Sequence, residues 1–261
     1  MSKQQDDGIK KVGFVIAGTQ KGGTSALDTY LREHPEICMA EKKEVHFFDN
    51  EKYFQNGKVD YSVYHSFFQP KSSHKLLGET TPIYMYWYDS PRRIWQYNPS
   101  MKIIIVLRNP IDRAYSHWNM QRDRNIDSLS FWDAIQREPE RRRVALPYQH
   151  NRFSYIDRGF YSEQLRRIWT YFPKDQTLIL KSEDLRMNPK EILEKVCHFL
   201  DLSYFRNVAV KDVHSRPYVS CMTHKEWEYL KFQFEYEVRN LERMLGWDCS
   251  DWLDPQLLIK T

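Results

Sequence analysis

Val12-Gly13-Phe14-Val15-Ile16-Ala17-Gly18-Thr19-Gln20-Lys21-Gly22-Gly23-Thr24-Ser25 is the stretch that decides the fold class of this 261-residue chain. The apolar run at 12–17 has the length of a buried strand and stops at Gly18. Ala26, Leu27, Tyr30 and Leu31 then recur at helical spacing over 24–34, until Pro35 ends the segment. Strand, glycine-rich loop and helix in direct succession are the opening unit of a parallel α/β sheet. The same order returns at 103–107, a continuous β-branched run followed by Arg108-Asn109-Pro110, with the proline suited to a first helical turn. It returns again at 177–181, ahead of a helix that Pro189 opens and that puts Ile192, Leu193, Val196, Phe199 and Leu200 on one face. Helical spacing also covers 161–172 and 223–245. Crossover helices between apolar strands predict an α/β three-layer sandwich with a central parallel sheet and a P-loop-like loop after the first strand.

The length suits one core, since cores grow to about 250–300 residues before splitting, and neither a repeat nor a linker breaks the chain. A single domain over 1–261 is expected, with 1–11 a flexible tail. A hydrophobic content of 41% and an aromatic content of 15% exclude a disordered or low-complexity chain. The net charge of +4 is too slight for general nucleic-acid binding and leaves room for a local anion site. No apolar run reaches the roughly 18 residues of a membrane span, and the polar start lacks a signal-peptide core, so a cytoplasmic protein without membrane contact is expected. Cys38, Cys197, Cys221 and Cys249 are far apart without C-x-x-C spacing, which predicts free thiols and no metal site.

In sheets of this class ligands bind beyond the carboxyl ends of the strands, at 18–25, at 108–116 and after Lys181. Backbone amides of Gly22, Gly23, Thr24 and Ser25, together with the helix start, can cradle a phosphate while Lys21 adds a point charge. A glycine-rich turn with a solvated lysine fits the loop alone equally well. The Walker A pattern of ATPases and kinases puts Lys directly before Ser/Thr, whereas Lys21 precedes two glycines. Arg108 and Ser116, a guanidinium at a strand end and a hydroxyl two turns into the next helix, can clamp a second phosphate.

Together these elements resemble the sulfotransferases that use 3′-phosphoadenosine 5′-phosphosulfate (PAPS), in which the first loop holds the 5′-phosphosulfate and an Arg/Ser pair at this spacing holds the 3′-phosphate. Lys43-Glu44-Val45-His46-Phe47-Phe48-Asp49 is similar to the K-E-x-H-F-F-D segment of the branch that contains the heparan sulfate glucosaminyl sulfotransferases and their bacterial relatives. Gly78-Glu79-Thr80-Thr81-Pro82-Ile83-Tyr84 resembles its G-E-K-[ST]-P-x-Y segment. Gly159-Phe160-Tyr161 with Leu165, Trp169, Phe172 and Pro173 resembles its G-x-Y run. The resemblance implies that Glu44 is the catalytic base supported by His46 and Asp49, that Lys21 stabilises the bridging oxygen, and that Tyr161 lies near the nucleotide. It also implies a nucleotide-closing loop near the C-terminus, for which His214-Ser215-Arg216-Pro217-Tyr218 is the candidate and Arg216 the ligand. Relatives often carry Lys where this chain has Thr80, whose hydroxyl cannot replace that charge.

Chemistry agrees with the resemblance: an attacking alcohol must lose a proton, which a carboxylate accepts, and a cation must offset charge on the departing phosphate. The expectation is transfer of a sulfuryl group from PAPS to a hydroxyl of a small polar metabolite, without a metal. A saccharide acceptor, O- or N-sulfated, is the first alternative. A P-loop-type kinase, which would need a metal-holding acid where Arg108 stands, and a silent nucleotide-binding module are the others. Arg137 with Arg141, Arg142 and Arg143 fits a polyanion site or a solvated face. Tyr84, Tyr86, Trp87 and Tyr88 fit an acceptor wall or core packing.

Overall fold

Alternate residues of the apolar runs part to opposite faces of a single sheet, as a period of two requires. In the computed structural model, which describes residues 11–55, 57–205 and 218–254, the strands are β1 (Phe14–Gly18), β2 (Ile37–Met39), β3 (Leu76–Thr80), β4 (Lys102–Leu107) and β5 (Thr177–Lys181). All neighbours are parallel, in the order β2-β3-β1-β4-β5. The connections carry helices α1 (Thr24–Leu31), α2 (Ser62–His65), α3 (Ser90–Tyr97), α4 (Pro110–Asp123), α5 (Phe131–Gln136), α6 (Glu138–Ala145), α7 (Tyr161–Trp169), α8 (Ser182–Met187), α9 (Pro189–Leu200) and α10 (His224–Leu245).

Phe14, Ile16, Ile104 and Val106 pack on one face with Leu27 and Leu31 of α1, Leu185 of α8, and Ile192, Leu193 and Val196 of α9. Val15, Ala17, Ile103, Ile105 and Leu107 face the opposite layer, with Ile111 and Ala114 of α4, Leu165 and Ile168 of α7, and Phe234 and Val238 of α10. The expected three layers are therefore present, and both faces of the sheet are dry. The expected tail falls, apart from Lys11, outside the described residues. Among the described residues no helix is long and apolar enough to cross a membrane.

β2 and β3 were not among the apolar runs read from the sequence. β3 hides because Gly78-Glu79-Thr80 looks polar, yet it pairs with β1 through Phe14↔Gly78 and Val15↔Glu79. Glu79 is fully buried there and accepts hydrogen bonds from the Tyr64 hydroxyl (3.1 Å) and Thr81 Oγ1 (2.6 Å). Burial pushes its pKa up to about 7, against the pull of those donors. The chain runs from β3 across β1 to β4, so that the loops leaving β1 and β4 lead to opposite layers and open a crevice at their carboxyl ends.

Candidate active site

The register of β1 against β4 shifts between Ile16 and Gly18, which turns the chain off the sheet into the phosphate loop. The Thr19 amide donates to the Val106 carbonyl (3.0 Å) and folds the loop down on the end of β4. A side chain at Gly22 would put its Cβ 2.3 Å from that same carbonyl, and Gly23 takes a φ of 99°. Only glycine satisfies both positions. Lys21 also lies in the left-handed region (φ 68°), where non-glycine residues are strained. α1 then begins at the buried Thr24 with no side-chain cap and no acid in its first turn, so its amide end is open to an anion.

Glu44, His46 and Asp49 lie on the segment that follows β2. Its outer end is bolted to β3 by the Glu44 amide, which donates to the Thr80 carbonyl (2.9 Å), and its inner end by fully buried Phe47 and Phe48. Tyr84 holds the Phe47 amide through its hydroxyl (3.1 Å). Glu44 (φ 60°) and His46 (φ 55°) are both left-handed, a backbone pairing that turns both side chains to the surface while the phenylalanines point inward. Asp49 Oδ2 lies 2.8 Å from His46 Nδ1, and His46 Nε2 lies 3.6 Å from Glu44 Oε2. Lys43 donates to Glu44 Oε1 at 3.0 Å. At 3.6 Å the Glu44–His46 contact is an ion pair rather than a hydrogen bond, whereas the His46–Asp49 contact is a good one. The imidazole, and after it the Lys43 ammonium, hold Glu44 below the usual carboxylate range against the effect of its burial. Asp49 first and Glu44 second raise His46 to about 9. At neutral pH His46 is therefore the imidazolium and Glu44 the carboxylate, the form that can accept a proton.

Arg108 stands at the end of β4. Its fork is held loosely: Nη1 is 3.5 Å from the Lys21 carbonyl, Nη2 is 3.3 Å from the Tyr218 hydroxyl and 4.0 Å from Asp112 Oδ2. Tyr161, fully buried at the start of α7, donates its hydroxyl to the Arg108 carbonyl (2.9 Å), which places it behind the end of β4. Ser116 is buried on α4, whose first turn is capped by Asn109 accepting from the Ile111 amide (2.9 Å). The crevice thus brings Lys21, Gly22, Gly23, Thr24 and Arg108 together, with Tyr161 behind them. Arg216 lies outside the described residues. Tyr218, its near neighbour, is described and reaches Arg108. An uncapped helix start, a loop that a Cβ would fill and a loosely held guanidinium suit a ligand with two anionic ends.

Thr80 is buried with its hydroxyl unpartnered and serves the site through its carbonyl. The aromatic group does not form an acceptor wall: Tyr84, Tyr86 and Trp87 are buried, the latter two bonded to Asp157 (2.7 Å) and Glu51 (2.9 Å), and only Tyr88 is exposed. The arginine run divides. Arg141 pairs with Asp127 (2.6 Å) and Arg142 with Asp157 (2.9 Å), while Arg137 and Arg143 are exposed. Sequence reasoning missed Arg158, which is buried and donates from Nη1 to Gln20 Oε1 (2.7 Å) in the phosphate loop. Its position directly before Gly159-Phe160-Tyr161 was the available signal. Among the described residues no group of three or more His, Cys, Asp or Glu side chains is arranged to hold a metal ion.

Residues 12–245 match the family model described as Sulfotransferase domain. The chain is 34% identical over 204 residues to the human bifunctional heparan sulfate N-deacetylase/N-sulfotransferase 2, a match that covers 74% of this chain and 22% of that protein. It is 30% identical over 191 residues to the mouse heparan sulfate glucosamine 3-O-sulfotransferase 5, covering 72% of this chain and 53% of that protein. It thus spans about a fifth of the first relative and about half of the second. Among solved structures, a sulfotransferase from Alicyclobacillus acidocaldarius is similar with a TM-score of 0.81 at 27% identity, covering 94% of this chain and 100% of that one.

Proposed function

The chain belongs to the sulfotransferase domain family, and on that premise we propose that it transfers a sulfuryl group from PAPS to a polar acceptor. The observation that carries this reading is the meeting, at the carboxyl ends of β1, β3 and β4, of an uncapped phosphate loop, an ionised Glu44 and the Arg108 fork. PAPS supplies the activated sulfuryl group. The loop amides and Lys21 bind its 5′ side and offset charge on the leaving phosphate, and Arg108 with Ser116 binds the 3′-phosphate. Glu44 takes the proton from the attacking atom of the acceptor. His46, fixed by Asp49, holds the Glu44 carboxylate in place by charge.

For the acceptor, the relatives' names support a saccharide, sulfated on oxygen or nitrogen, over the small polar metabolite expected from the sequence. A cytoplasmic setting belongs to the same proposal. Cys38, Cys197, Cys221 and Cys249 are all free, three of them buried, as suits a reducing compartment. The test is a screen with labelled PAPS of glucosamine-containing oligosaccharides against small hydroxyl and amine compounds. Label in the oligosaccharides is the expected result. Label confined to small compounds would return the acceptor to the first expectation, and label in neither class overturns the reading.

A further inference from the structure

We infer that Arg158 is a positioning residue that sets the phosphate loop by gripping Gln20, an inference that rests on reading this loop as the phosphosulfate cradle. Arg158 sits in the turn Asp157–Gly159 just before α7 and is 2% exposed. Nε donates to Ser154 Oγ (2.9 Å), Nη2 to the Asn151 carbonyl (2.8 Å) and Nη1 to Gln20 Oε1 (2.7 Å). The guanidinium lies over the Tyr86 ring at 4.6 Å. Two of the three hydrogen bonds and the ring anchor the side chain to its own wall, and the third crosses to the loop.

Arginine has donors only, so the Gln20 carboxamide can meet it with its oxygen alone. That fixes both the rotamer and the facing of Gln20. The residue stands between Thr19, whose amide is tied to Val106, and Lys21, which is held in the left-handed region. Pinning Gln20 therefore pins the strained residue beside it, whose ammonium must sit at the leaving phosphate. A lysine at 158 has no planar fork and cannot make the three directed bonds at once. All three hydrogen-bond acceptors are neutral, and the acids that offset the buried charge, Asp49 and Asp157, act on it without a direct hydrogen bond; an anion in the loop would add to that compensation.

The experiment uses the full chain with Gln20→Ala, Gln20→Glu, Arg158→Lys and the Gln20→Ala/Arg158→Lys double variant. It reads amide hydrogen exchange over 19–24 without ligand, affinity for 3′-phosphoadenosine 5′-phosphate, and melting temperature. Gln20→Ala removes only a half-buried loop side chain. It should speed exchange over 19–24, weaken the nucleotide roughly tenfold, as expected for losing a charge-assisted bond, and lower the melting temperature no more than Arg158→Lys does, because Arg158 keeps its bonds to Ser154 and Asn151. Gln20→Glu keeps an acceptor for Arg158 and should restore loop protection. The double variant should bind no worse than the weaker single, because both break one contact. Wild-type exchange in Gln20→Ala, or additive losses in the double, overturn the inference. Failure of the unaltered protein to bind the nucleotide would defeat the functional reading instead, and the exchange measurements would still decide whether Arg158 sets the loop.

Discussion

Replacing Glu44 by Gln keeps the shape of the side chain and removes its ability to take a proton. The structure says how little else should change. Glu44 and His46 have side chains 40% and 43% exposed, and Lys43 is 29% exposed, so both ion pairs of Glu44 are open to solvent. Exposed pairs contribute about 0–1 kcal/mol each. A combined loss of about 1 kcal/mol corresponds to about 2–4 °C in a chain of this size. The amide that anchors the segment to Thr80 and the buried Phe47 and Phe48 are untouched. Catalysis should fall far more, by roughly 10²–10⁴-fold in kcat, the usual contribution of a positioned base. Initial rates with labelled PAPS and the acceptor found in the screen, nucleotide titration and thermal melts on one preparation separate the three quantities. Wild-type turnover in Glu44→Gln would refute the assignment of the base. A large fall in melting temperature with nucleotide binding lost as well would show that Glu44 supports the fold.

Four further outcomes are expected. 3′-Phosphoadenosine 5′-phosphate should raise the melting temperature well above the shift given by AMP, and Arg108→Ala should cost on the order of 2–4 kcal/mol of that binding; equal shifts from the two nucleotides in calorimetry would remove the second anion site. Gly22→Ala drives a Cβ toward the Val106 carbonyl and should destabilise by about 1–3 kcal/mol while abolishing nucleotide binding, so a variant that binds normally in titration would show that the loop is not the cradle. Because His46 is raised to about 9 when folded, the stability it contributes is fully present below its unfolded pKa near 6.5 and is lost as pH rises through about 9. Thermal melts over that window should show a decline in the unaltered protein that His46→Gln lacks; parallel curves would contradict the His46–Asp49 pairing.

The sheet core and the phosphate loop were legible in the sequence because local pattern is enough to specify them. The central strand β4, buried on both faces, shows itself as one apolar run at 103–107, and a loop pressed against a neighbouring strand must use glycine, as Gly22 is against Val106. The helix expected over 223–245 follows the same logic: Thr223 caps α10 reciprocally with Glu226 and Gly246 ends it in the left-handed region. β3 was not legible, because a buried Glu79 becomes tolerable only once Tyr64 is brought to it from α2 to add to the hydrogen bond from neighbouring Thr81. The direction of Tyr84, Tyr86 and Trp87 was likewise open until their partners Phe47, Asp157 and Glu51 were in place. Motifs named Glu44, His46 and Asp49, yet the order of charges along them depends on two left-handed residues and on distances that spacing does not contain. Arg158 and Gln20 are far apart in the chain and share no pattern. Residue type and periodicity determine what a segment can bury by itself, whereas the pairing of buried polar groups from distant segments is decided only when the packed fold brings donor and acceptor within reach.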